Sequence, residues 1–224
     1  MQLSPYSESL FNSLEEYADP AKAKAMKAYM RDQFEFYGIP APKRKEIARI
    51  YLLKENRPSS EDLEIIINEL WKAPQREVQF IAIELVDKYK KDLTEDHFEL
   101  LERMITNKSW WDTVDYIAAT LVGNLYKRFP EEGKKYIEKW RKSGNFWLVR
   151  TCIIFQLKYR DEVDEDLLFS LIRENSSDKE FFIRKAIGWS LRQYGKFKPE
   201  RVEWFVSNHE LSGLSRREAM KNLR

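Results

Sequence analysis

Four stretches of the chain can be laid over one another. They are REVQFIAIELVDKY from Arg76, WDTVDYIAATLVGNLY from Trp111, FWLVRTCIIFQLKY from Phe146 and FFIRKAIGWSLRQY from Phe181. Each places a β-branched aliphatic residue directly before a polar one: Val78-Gln79, Val114-Asp115, Val149-Arg150 and Ile183-Arg184. The polar member recurs at 79, 115, 150 and 184, in steps of 36, 35 and 34 residues. Such a step holds two short helices and their turns. A helix pair cannot bury its apolar face alone, so neighbouring pairs have to stack. The pattern predicts an α-solenoid with a concave face. The aliphatic column becomes the shared core, and the polar column lines one face of the array.

The rest of the chain agrees. Apolar residues recur at spacings of three and four, which predicts about a dozen amphipathic helices and no strand. Only seven glycines and eight prolines are available for turns. Breaks fall at Asp19-Pro20, Ile39-Pro40-Ala41-Pro42, Arg57-Pro58, Ala73-Pro74, Phe129-Pro130 and Lys198-Pro199, each read as a proline near a first helical position. LEIIINEL at 63–70 has a β-branched run, but Glu64, Asn68 and Glu69 spoil strict alternation and favour helix. Residues 1–224 are read as a single domain of repeats, expected to be a monomer.

Composition narrows the function classes. Charged residues make up 34% of the chain and hydrophobic ones 43%, a folded rather than a disordered balance. The formal net charge is only +2, so any basic footprint has to come from distribution over the surface. No apolar run approaches the roughly 20 residues needed to span a bilayer, and MQLSPYSESLFNS has neither the basic nor the apolar region of a secretory signal. Cys152 stands alone in the apolar run TCIIFQL and is expected to be a buried, inert thiol in a reducing, cytoplasmic setting. His97 and His209 lack partners at ligand spacing, so no protein-bound metal is expected. Neither a phosphate-loop nor a GxGxxG glycine pattern occurs, and no cofactor is expected.

The stretch NKSWWDTVD at 107–115 carries the chemistry. Ser109 and Asp112 have the spacing of a capping box, which gives Asp112 a structural role; Ser177 and Glu180 repeat it. With Ser109 as cap, Trp110, Val114, Ile117, Ala118 and Leu121 form one apolar stripe and belong in the core. Trp111 and Asp115 then sit one turn apart on another face. An indole face attracts cations rather than anions, so a carboxylate beside an exposed indole suits a cationic guest. Arg150, one step along the column, is expected to keep Asp115 ionised and to hold an anion such as phosphate.

These residues carry a resemblance. SWWDTVD, NFWLVR and KEFFIRKAIGWSLR, with YMRDQFEFYGIPAPKRK near the start and LSRREA near the end, closely resemble the AlkD-type DNA alkylation repair proteins. These are 3-methyladenine/7-methylguanine DNA glycosylases. The likeness spans residues 6 to 224. It implies a right-handed α-solenoid of HEAT-like repeats with a concave DNA-binding face. Its active residues fall on Trp111, Asp115, Arg150 and Trp189, all of them kept. Helical counting alone would have put Trp189 in the core with Phe182 and Ala186. Two stretches depart from the family. GIPAPKRK has Ile-Pro-Ala where relatives often carry a polar residue and Thr, so contacts near Lys43, Arg44 and Lys45 are expected to differ. The chain stops at Leu223-Arg224 where relatives often continue, so distal DNA contacts are expected to differ too.

The implied partner is double-stranded DNA containing alkylated purines, with downstream abasic-site repair enzymes acting on the product. The implied reaction is hydrolysis of the N-glycosidic bond without base flipping, tolerant of bulky adducts. Asp115 would stabilise the oxocarbenium-like sugar and position water. Trp111 and Trp189 would bracket the sugar, and Arg150 would grip a phosphate and orient Asp115. DNA contacts are expected from Tyr29, Lys45, Lys158, Arg184, Lys185, Arg192 and Arg217. Two rivals share the fold: a non-catalytic binder of bent or damaged DNA, which the intact quartet opposes, and a protein-interaction scaffold using the polar column.

Overall fold

Proline sets several helix starts in the computed structural model, which describes residues 3–222. Its fixed φ suits a first turn, where its missing N–H would have been an orphan anyway. α1 (Pro5–Glu15) begins behind Ser4, whose hydroxyl oxygen accepts from the Ser7 N–H. α2 (Pro20–Tyr29) begins behind Asp19, whose carboxylate accepts from the Lys22 N–H. α3 (Ala41–Tyr51) follows Pro40 and carries Pro42 in its first turn. Pro58 and Pro74 differ from the expectation. α4 (Leu63–Lys72) and α5 (Arg76–Lys88) start beyond them, so both prolines lie in connections. LEIIINEL is helical, within α4.

The chain divides into two compact units, Met1–Asp92 and Leu93–Arg224. The division falls between α5 and α6, at a boundary between helix pairs. In the first unit α4 packs on α5, and α1 packs on α3 and α4. The buried Glu77 carboxylate accepts from the N–H groups of Tyr37, Gly38 and Ile39, so this charge is hydrogen-bonded.

The second unit contains α6 (His97–Thr106), α7 (Trp111–Tyr116), α8 (Gly123–Arg128), α9 (Pro130–Arg141), α10 (Phe146–Ile154), α11 (Glu165–Glu174), α12 (Phe181–Tyr194), α13 (Pro199–Asn208) and α14 (Gly213–Ala219). A π-helical turn, Ile117–Val122, joins α7 to α8. The helices that carry the repeated segments begin at 76, 111, 146 and 181, an even spacing of 35. Within the second unit α7 packs on α10, α10 on α12 and α12 on α14. α9 and α11 pack against α10, and α13 against α12. The described residues are all-α, with one isolated bridge between Glu35 and Gln75. No helix among them is long and apolar enough to cross a membrane.

The aliphatic column forms core as expected: Val78, Val114, Val149 and Ile183 are buried. The polar column is split: Gln79 and Arg150 are buried, whereas Asp115 and Arg184 are only partly buried. Gln79 is fully buried, and its amide donates to the carbonyls of Leu70 and Ala73 at 3.3 and 2.8 Å. Both carbonyls lie at the C-terminal end of α4, where helix geometry leaves acceptors open to side chains, and Gln79 donates to them from the side. Cys152 is buried, and burial pushes its thiol up.

Two caps are also corrected. The Ser109 hydroxyl donates to the Ile105 carbonyl at 2.6 Å, closing the end of α6 rather than the start of α7. α7 instead starts from an extended Trp110 with no side-chain cap. At α12 the cap is Glu180, whose carboxylate accepts from the Phe182 N–H, and Ser177 plays no part. Leu223 and Arg224 lie outside the described residues.

Candidate functional site

The two tryptophans of SWWD part company as the helical count predicts. Trp110 turns into an aromatic cluster. Its ring centroid lies 6.0 Å from that of Trp147 and 5.3 Å from that of Phe182, and Trp147 and Phe182 are 4.9 Å apart. Val114, Ile117, Ala118 and Leu121 behind it are fully buried. Trp111 faces an open cleft of about 290 Å³ together with Asp115, Arg150, Phe181, Phe182, Lys185, Trp189, Arg192 and Glu218. A second opening of about 350 Å³ shares Asp115 and Trp189, and is continued by Tyr116, Thr120, Lys158 and Gln193.

At the centre is a bidentate ion pair. Arg150 Nε donates to Asp115 Oδ1 at 2.7 Å, and Nη2 donates to Oδ2 at 2.8 Å. Nη1 of the same guanidinium donates to the Phe182 carbonyl. One side chain on α10 thus ties α7 to α12, and its planar fork accounts for the precision. The guanidinium side chain is 5% exposed and the carboxylate 18%. The Phe182 ring lies 5.9 Å from the guanidinium.

Burial is the largest influence on Asp115 and pushes its carboxyl above the usual carboxylate range; the Arg150 hydrogen bonds and charge oppose this without cancelling it. Asp112, in the first turn of α7, adds a smaller upward push. The pair therefore differs from the expectation that Arg150 simply keeps Asp115 ionised. Arg150 holds a carboxylate that its surroundings disfavour as an anion. Its three hydrogen bonds and its burial leave little guanidinium surface free, and two of those bonds fix the plane of the Asp115 carboxylate.

The structure brings together Trp111, Asp115, Arg150 and Trp189. Trp189, which counting alone placed in the core, is only partly buried and borders both openings. Of the cationic candidates, Lys158 lies at the second opening. Its Nζ donates to the Thr120 hydroxyl at 2.6 Å and sits 5.3 Å from the Tyr116 ring centroid. Lys185 and Arg192 line the first opening, both paired with Glu218. Arg184 is not among the lining residues, and its Nε is buried without a hydrogen-bond partner. Arg217 is exposed on α14. Tyr29, 73% exposed, and Lys45, also exposed, belong to the first unit.

Sequence reasoning missed Phe181, Phe182 and Glu218. The first two had a signal. Aromatic residues at 111, 146 and 181 open α7, α10 and α12 at one spacing of 35. Glu218 had none, because its position depends on how α14 packs. The π-helical turn directly after Asp115 was also unanticipated. Such turns are rare and recur at functional sites. Here it coincides with a close approach: a Cβ on Gly123 would lie 2.5 Å from the Phe155 carbonyl oxygen.

Residues 10–223 match the sequence model of a family described as DNA alkylation repair enzyme. A solved structure described as a predicted DNA alkylation repair enzyme from Enterococcus faecalis is similar, with a TM-score of 0.85 and 33% sequence identity. The similarity covers 92% of this chain and 96% of that one. A comparison with curated proteins gave no match.

Proposed function

The chain belongs to the DNA alkylation repair enzyme family, and on that premise we propose that it is a monofunctional DNA glycosylase. Its substrates would be cationic N3- and N7-alkylated purines in duplex DNA, 3-methyladenine and 7-methylguanine among them. The observation that carries this reading is the buried Asp115–Arg150 pair whose carboxylate opens onto a cleft flanked by Trp111 and Trp189.

The chemistry follows from charge. A purine alkylated at N3 or N7 leaves as a neutral base, so no general acid has to protonate it. One carboxylate then suffices where many glycoside hydrolases need two. As the C–N bond stretches, positive charge develops on the deoxyribose. A carboxylate disfavoured by burial gains most from a cation that appears beside it, because the low dielectric strengthens the attraction and no reorganisation is needed. Asp115 stabilises that sugar and orients the attacking water. Arg150 fixes the carboxylate plane. Trp111 and Trp189 offer ring faces to the cationic sugar, worth about 0.5–2 kcal/mol each.

The cleft is open, not a closed compartment for an extruded base. This supports action on a lesion that stays in or near the duplex, and with it tolerance of bulky adducts. The test is to incubate the protein with a methylated duplex and to measure free 3-methyladenine and 7-methylguanine by chromatography, alongside abasic sites. Release of both products supports the reading. DNA binding without released base would assign the fold to binding alone.

A further inference from the structure

Two of the cations expected at the DNA backbone are already occupied. Lys185 and Arg192 lie seven residues apart on α12, so they share a face about two turns apart, roughly 10 Å along the axis. Gly188 lies between them on that face. Glu218 of α14 fills the gap. Its Oε1 is 3.1 Å from Lys185 Nζ, and its Oε2 accepts from Arg192 Nη1. Arg192 Nη1 also reaches the Glu218 carbonyl at 3.3 Å.

The placement is built into the packing. A Cβ on Gly188 would lie 2.4 Å from the Glu218 Cβ and 2.8 Å from the Ser215 carbonyl oxygen. Glycine is what lets α14 come this close to α12. The buried Ser215 hydroxyl donates to the Arg184 carbonyl at 3.0 Å and holds the two helices in register. Arg192 first, then Lys185, hold the Glu218 carboxyl below its ordinary range, so it is charged at neutral pH. Lys185, Arg192 and Glu218 all face the cleft that contains Asp115.

A partly exposed ion pair contributes little to stability, which makes its position the informative feature. Fixed negative charge stands on the wall where a polyanion has to dock. A carboxylate and a phosphate present similar oxygens to Arg and Lys. Resting on the proposed action on duplex DNA, we infer that Glu218 is a resident phosphate surrogate. It occupies the anion position between Lys185 and Arg192 in the free protein, and a backbone phosphate displaces it on binding. Glu218 thereby sets the affinity for duplex DNA below what the cations alone would give, while keeping both side chains aimed at the phosphate position.

The test is binding of an undamaged duplex across a salt series by the wild type, Glu218→Gln and Glu218→Asp, with thermal melts to verify folding. Glu218→Ala replaces the amide if the amide fails to fold. Removing a like charge within about 8 Å of a phosphate, at effective dielectrics between roughly 20 and 80, strengthens binding about two- to thirtyfold. The slope of log K against log salt steepens by about 0.9 for each additional phosphate engaged. Glu218→Asp keeps the charge and binds like the wild type. Weaker or unchanged binding by Glu218→Gln overturns the inference, as would equal behaviour of the amide and the aspartate. A wild type without salt-sensitive DNA binding would overturn this inference and the proposed function together. A wild type that binds DNA but releases no base sinks only the glycosylase reading.

Discussion

Replacing Arg150 with Gln separates two roles that the sequence could not tell apart. The substitution keeps much of the volume and one amide donor. It removes the charge, the fork to Asp115 and the bond to the Phe182 carbonyl. Asp115 is then a buried carboxylate without its cation. An adjacent Arg lowers an Asp pKa by about 1–3 units, so its loss should raise the already elevated Asp115 pKa by a similar amount, each unit being worth about 1.4 kcal/mol. The sign follows. The folded protein binds this proton more tightly than the unfolded chain, so the group destabilises the fold increasingly as pH rises through the window between the two pKa values. Relative to wild type, Arg150→Gln should lose about 3–5 kcal/mol at neutral pH, the cost of orphaning one partner of a buried pair. Less should be lost under acid conditions, where Asp115 takes up a proton. The assay pairs thermal melts with single-turnover base release, each across pH. The acid limb of the wild-type rate profile should lie above the ordinary carboxylate range, and in the variant it should move further up. If the rate falls while the acid limb stays fixed and the DNA affinity drops, Arg150 acts on a phosphate and not through Asp115, and the positioning argument fails.

Other consequences are equally concrete. Gln79→Leu removes the buried amide bonds to the Ala73 and Leu70 carbonyls and should cost about 1–3 kcal/mol in denaturant titrations, with the rate of base release by the folded protein unchanged. Slower release by the folded variant would restore Gln79 to a functional face. Gly188→Ala forces α14 away from α12 and should destabilise by roughly 1–3 kcal/mol. Its melting point matching wild type would show that the close approach is dispensable.

The even spacing of the helices that start at 76, 111, 146 and 181 was legible because stacking demands an aliphatic residue at one place per pair. Val114, Val149 and Ile183 show it directly in the second unit. The split between Trp110 and Trp111 was legible from the helical count, although its cause is different: Trp110 is extended at the start of α7 and turns into the core, while Trp111 is the first helical residue. What failed is what depends on competition or on distant packing. In sequence Ser109 stands between two orphan sets, the last carbonyls of α6 and the first N–H groups of α7, and its hydroxyl closes the former. The polar column read as a surface because polar residues usually lie outside; Gln79 and Arg150 are buried because backbone carbonyls and a carboxylate wait for them there. Trp189 depends on which side of α12 is left uncovered, and Glu218 on the glycine contact between α12 and α14. Neither is written in local periodicity.

The most direct test of the account is single-turnover release of 7-methylguanine from a methylated duplex by the wild type and by Asp115→Asn, with DNA affinity measured on the same samples. The account predicts release by the wild type and a loss on the order of tenfold to a thousandfold in the variant, the range for removing one electrostatic stabiliser, with DNA affinity nearly unchanged. An Asp115→Asn protein that releases base at the wild-type rate would contradict it.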